Sequence, residues 1–252
     1  MPPITLHMVL ARNLAKNLSI EELNSHDGWY LLGATTPDIR VITKQNRKDT
    51  HFFDLSVMEH QDSVELFIRS TPSISDPGSL NTQARAFIAG YISHLSFDEN
   101  YITNVYRPNF LNSEQIGSSV KASLMDRLLQ FDLDRTYSND PQLRTHLCEA
   151  LSFTINDIKL GFIEINTLRK WRDVVSDITA RNLDWDRARS MINNHLRKLG
   201  VDDDGELAIF LDSLPDLLNE TIGYVTSEEV YSFVDRATEE ATLVVGKYLQ
   251  CV

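Results

Sequence analysis

The chain is poor in residues that interrupt helices and in residues that cross-link. Among 252 residues there are ten glycines, eight prolines and two cysteines. So little Gly and Pro excludes a collagen-like repeat or a linker array and argues against a turn-rich β-sandwich. Cys148 and Cys251 lie far apart and outside any paired-cysteine motif. Two such thiols argue against a disulfide framework and suit a reducing compartment, so a cytoplasmic protein is expected. No apolar run approaches the ~20 residues that span a bilayer. Residues 1–13 lack the positive n-region of a signal peptide. Positive charge is also scarce, with 24 Lys and Arg against 36 Asp and Glu, a net charge of −12. General nucleic-acid binding is therefore not expected, because counterion release needs clustered cations. A Gly-x-Ser-x-Gly elbow, a Walker loop and a dinucleotide fingerprint are all missing.

What is present is a globular composition, 42% apolar and 24% charged, with enough length for one large core or two modest ones. The periodicity is helical nearly throughout. Ile4, Met8, Leu10, Leu14 and Leu18 outline an opening helix. Ser19-Ile20-Glu21-Glu22 has the form of a capping box that starts a second. Gly33 and Pro37 bracket a break, residues 39–50 read as a polar connection, and a helix is expected over 62–70. After a Pro- and Ser-rich loop, the strongest helix is predicted over 82–106, ended by Pro108. Further helices are expected over 113–131, 142–157, 161–180, 184–199, 205–220 and 226–249, the last opened by a capping box at Thr226. The best boundary candidate is 137–141, giving a region 1–139 and a helical region 140–252 packed on it as one unit.

One constellation stands above the background. His94 and Asp98, at i and i+4 on the strong helix, lie about 40° apart on one face. A histidine nitrogen and a carboxylate so placed can grip one divalent cation. Gly90, one turn earlier, leaves that face open to another group. By itself the pair is more simply a helix-surface hydrogen bond. His7 on the opening helix, Asp38 after the rigid Gly33–Pro37 turn, and His51 beside Phe52 and Phe53 each have an ordinary structural reading too. Together the five are three imidazoles and two carboxylates from four elements, the ligand types that zinc prefers. The stretch 39–48 carries Arg40, Lys44, Arg47 and Lys48 with no acid. Arg40, Arg47 and Lys48 are candidate phosphate contacts. A His26-Asp27 doublet, as in HD-type phosphohydrolases, leaves His51 and His94 idle, and Asp202-Asp203-Asp204-Gly205 lacks the ligand pattern of a calcium loop.

The ordered set His7, Gly33 to Pro37-Asp38, Thr50-His51-Phe52 and Gly90-Tyr91-Ile92-Ser93-His94-x-x-x-Asp98-Glu99 resembles the zinc-dependent phospholipase C family over about the first 110 residues. The resemblance implies an all-α, multi-helix phospholipase C-like bundle, here with additional C-terminal helices. It implies that Asp38, His51, His94 and Asp98 share one metal, with Asp98 also bridging to an ion held by His7. After Asp98 only His146 and His195 remain, and Glu149 follows His146 at the wrong spacing for the family's later motif. One or two ions, zinc or another divalent metal, are therefore expected rather than three.

The activity implied is hydrolysis of phosphodiesters or phosphomonoesters by a metal-activated water, with Asp38 as the catalytic group that orients or deprotonates it. The substrate would be a small-molecule or lipid phosphoester, although no exposed apolar lip for membrane access is legible. The alternative is a catalytically inactive metal-binding or partner-binding protein of the same fold. Nothing in the sequence addresses the oligomeric state. Residues 1–126 carry a net charge of −4 and residues 127–252 one of −8, so most of the acid excess lies outside the proposed site.

Overall fold

Helical periodicity is realised along most of the described residues. The computed structural model describes residues 3–112, 114–155, 158, 160–198, 200 and 204–250, and no strand occurs among them. The helices are α1 Ile4–Leu18, α2 Glu21–Ser25, α3 Asp27–Gly33, α4 Arg40–Thr43, α5 Arg47–His51, α6 Ser63–Ser70, α7 Thr82–Tyr101, α8 Ser119–Tyr137, α9 Pro141–Ala150, α10 Ile165–Ala180, α11 Trp185–Lys198, α12 Asp204–Asp212, α13 Leu214–Val225 and α14 Ser227–Gln250.

Several local expectations change. Ser19 is not a helix start: it closes α1 in the left-handed conformation (φ 53°), its hydroxyl bonded to the Lys16 carbonyl. Residues 39–50 are not a bare connection but a helical hairpin, α4 then α5, turned by Lys44 at φ 60° and capped by the Asn46 side chain. Pro108 does not end the long helix. The chain widens after Tyr101 into π-type turns, Ile102–Leu111, that run through the proline. The segment expected as 205–220 is two helices, because Pro215 sits in the first turn of α13, where its missing N–H costs nothing. Ser113, the expected start of the next helix, and Asp202 and Asp203 lie outside the described residues, while α8 begins only at Ser119.

Helix α7 is the axis of the fold. Its apolar residues occupy every face, and every residue from Ala86 to Asp98 is buried, as expected of a helix surrounded by others. α3 packs along one side of it and α14 along another, and α1 touches α3, α7, α10 and α14. The C-terminal half is tied in by buried groups. Trp171 of α10 donates its indole N–H to the Thr35 hydroxyl (3.2 Å), and Tyr248 of α14 donates to the Ile74 carbonyl (3.2 Å).

A buried carboxyl sets a pH dependence on this packing. Asp134 of α8 is buried and accepts from the Ser138 hydroxyl at 3.3 Å and from the Leu6 backbone N–H in the first turn of α1. Burial pushes its pKa up from 3.8 to about 6, with Arg187 and these hydrogen bonds holding it from rising further. The folded state therefore takes up this proton at a higher pH than the unfolded chain does. The ionised form weakens the fold above pH 6, and stability rises as pH falls from about 6 toward 4. Asp134→Asn should stabilise the protein by about 2 kcal/mol at pH 7.5 and by almost nothing near pH 4, read from urea midpoints. An equal gain at both pH values would show that ionisation of Asp134 is not the cause.

Candidate metal centre

Two glycines determine how closely the site's supporting helices approach. A Cβ at Gly90 would overlap the Tyr30 carbonyl oxygen and stand 2.7 Å from the Ala34 N, while one at Gly33 would overlap the Phe87 carbonyl oxygen. Backbone-to-backbone contact of α3 with α7 therefore depends on both. It brings the Ala34 carbonyl within 2.8 Å of His94 Nδ1, one turn beyond Gly90. A carbonyl can only accept, so Nδ1 carries the hydrogen and Nε2 presents its lone pair on the other side.

His51, at the end of α5, is oriented in a similar way. The Thr50 hydroxyl donates to the Arg47 carbonyl (3.3 Å) and lies 2.9 Å from His51 Nδ1. Its one hydrogen being spent, the hydroxyl accepts from Nδ1–H, and Nε2 is again the free nitrogen. The Tyr91 hydroxyl anchors this turn by donating to the Thr50 carbonyl at 2.6 Å. His51 Nε2 lies 3.5 Å from Asp38 Oδ1 and 3.5 Å from Asp98 Oδ2. His7 of α1 stacks on His94 with ring centroids 3.7 Å apart and planes 12° apart.

All five residues singled out in the sequence thus meet. Donor atoms of His7, His94 and Asp98 lie within 4.8 Å of one another, as do those of Asp38, His51 and His94. The residue common to both groups is His94, not Asp98. His7, His51, His94 and Asp98 are buried, and Asp38, with 14% of its side chain exposed, is the most accessible of the five.

The electrostatics suit cation binding. Burial lowers the pKa of His94 to about 4 and that of His7 well below its ordinary value, so both are neutral at pH 7. Burial alone would raise Asp38 and Asp98. The neighbouring histidines more than offset this for Asp38, and Arg47 with His51 and His94 does so for Asp98, so both carboxyls are held below their usual range. His7 Nδ1 and Nε2, His51 Nε2, His94 Nε2 and Asp98 Oδ1 are buried without a hydrogen-bond partner. Each such atom costs roughly 1–3 kcal/mol. A cation bound among them would satisfy several at once.

The three basic candidates separate. Arg47 forms an ion pair with Asp98 and donates to the Phe53 carbonyl at 3.2 Å. Lys48 pairs with Asp54 on the surface, and Arg40 is half-buried with its Nε partnerless. Glu99, next to Asp98, faces away and accepts from the Ser63 N–H (2.9 Å) and hydroxyl (2.6 Å), capping α6. Asp27 of the His26-Asp27 doublet pairs with His146 at 2.8 Å. Sequence reasoning missed the orienting partners Thr50, Tyr91 and the Ala34 carbonyl. None of these carries a ligand's signature, and only the pair of glycines hinted at the close approach.

The described residues are all-helical and hold a buried histidine–carboxylate cluster that could bind a metal ion. More narrowly, residues 6–100 match the family model of zinc dependent phospholipase C, and this stretch, less than half of the chain, contains all five clustered residues. Zinc is the metal of the matched family, and the His/Asp donor set is of a kind that zinc takes. No curated protein and no solved structure matches the chain. No helix of the described residues is long and apolar enough to cross a membrane.

Proposed function

We propose that the chain is a zinc-dependent hydrolase of phosphate esters. The observation that carries this reading is the meeting of three histidines and two aspartates in two overlapping groups of close ligand atoms, several of them buried without a hydrogen-bond partner. Zinc held there would polarise a phosphoryl oxygen and lower the pKa of a water toward ~7. The protein's own groups do the rest. Asp38, the least buried carboxylate, orients the attacking water. Arg47 supplies a permanent positive charge beside the cluster, fitted to a phosphate oxygen. The Ala34 carbonyl and Thr50 hydroxyl hold the two imidazoles in the tautomers that leave Nε2 available.

A lipid phosphoester is the substrate class favoured. Leu55, Val57 and Met58 are exposed on the loop after His51, and Val41 is exposed three residues beyond Asp38. Apolar side chains that the sequence did not mark as a lip thus flank the segments bearing two of the site residues.

The test is metal analysis of protein purified without chelator, followed by assays with zinc on bis(4-nitrophenyl) phosphate, 4-nitrophenyl phosphate and phosphatidylcholine vesicles. Bound zinc and turnover, greatest on the vesicles, are expected. Protein that takes up no metal from zinc buffer overturns the proposal. Zinc binding without turnover on any of the three leaves the catalytically inactive metal-binding protein as the better reading.

A further inference from the structure

Helix α5 delivers two side chains to the cluster, His51 and, four residues earlier, Arg47. The Arg47 guanidinium sits on Asp98 Oδ2, leaving Oδ1 without a partner. With Arg47 only 11% and Asp98 3% exposed, this is a buried pair at the heart of the donor set.

The supply of donors is limited. His94 has spent Nδ1 on Ala34 and His51 has spent Nδ1 on Thr50, so each offers one nitrogen. The two groups of mutually close donors both need His94, whose single free nitrogen serves one ion. A catalytic zinc takes about three protein ligands and keeps one position open. Five residues satisfy one such ion fully, and a second would have to be held by His7 and both oxygens of Asp98, one of which Arg47 occupies.

Charge leads to the same result. Two carboxylates against one divalent ion and one guanidinium leave a single positive charge, which a phosphate oxygen can balance. A second divalent ion would leave three positive charges in a site whose histidines are already buried, and uncompensated buried charge is strongly unfavourable.

Resting on the metal site proposed above, we infer that Arg47 stands in for a second ion, making this a one-zinc centre with a built-in guanidinium. Arg47 is a positioning residue for Asp98, and its charge keeps another cation away from Asp98 Oδ2.

The experiment is zinc stoichiometry by elemental analysis and native mass spectrometry on untagged full-length chain equilibrated in zinc buffer. The His94→Ala variant sets the background. Wild type should hold one equivalent. Arg47→Ala, and Arg47→Gln as a near-isosteric neutral variant in case the smaller side chain disturbs folding, should hold two. Arg47→Lys, which keeps the charge, should hold one. Two or more equivalents in wild type overturn the inference while leaving the metal site standing. A neutral Arg47 variant that folds, by circular dichroism, and stays at one equivalent also overturns it. Wild type with no zinc above background removes the metal site itself, and this inference with it.

Discussion

His94→Ala should give a folded, helical protein that no longer responds to zinc. His94 belongs to both groups of close donors, and no other side chain can supply its Nε2. Loss of an outer-shell partner typically costs ~10–100-fold in metal affinity. Loss of this shared ligand should cost more, with turnover falling in parallel. The fold itself should change little in the absence of metal. Alanine removes one partnerless buried nitrogen, which favours folding, and strips the Ala34 carbonyl of its donor, which opposes it. The measurement is thermal melting with and without zinc. Zinc should raise the midpoint of wild type, because a ligand bound only by the native state stabilises it. The variant's midpoint should not move, and an equal rise in both proteins would remove His94 from the site.

Gly90→Ala should be severely damaging for a single methyl. The added carbon would collide with the Tyr30 carbonyl oxygen and crowd the Ala34 N, both of them backbone atoms that cannot rotate away. α3 and α7 would have to separate, at a cost of about 3 kcal/mol or more. Separation also lengthens the hydrogen bond from His94 Nδ1 to Ala34, so zinc affinity should fall together with stability. The matched control is Gly223→Ala in α13, where an added Cβ meets nothing within 4 Å. There alanine should stabilise by about 0.5–1 kcal/mol through helix propensity alone. Urea midpoints of the two variants moving in the same direction would show that the α3–α7 contact is not the tight one.

Helix identity was largely legible because a 3.6-residue apolar repeat needs no knowledge of the partner. The opening helix, predicted from Ile4 to Leu18, has those bounds, and the helix expected over 62–70 is α6, capped by Asp62. The misreadings come from competition among local signals. Ser19 has the residue pattern of a capping box, yet the chain uses it to close α1, since the left-handed turn there satisfies the Ala15 carbonyl. Pro108 lacks the N–H of a regular helix, but π-type turns shift the bonding and carry the chain past it. α4 and α5 are too short for periodicity to register, and they form because Asn46 caps one and Lys44 turns the other.

By itself the sequence determined an all-helical chain and a set of three histidines and two aspartates whose types and local spacing suit zinc. The tertiary structure alone decided that all five converge, that His94 is the donor common to both groups, and that Arg47 rather than Lys48 reaches Asp98. The physical reason is that helix formation and the i, i+4 pairing of His94 with Asp98 are local. Which nitrogen of an imidazole stays free, and which cation finds a carboxylate, depends instead on packing between distant segments. Here that packing rests on two glycines that let α3 and α7 touch.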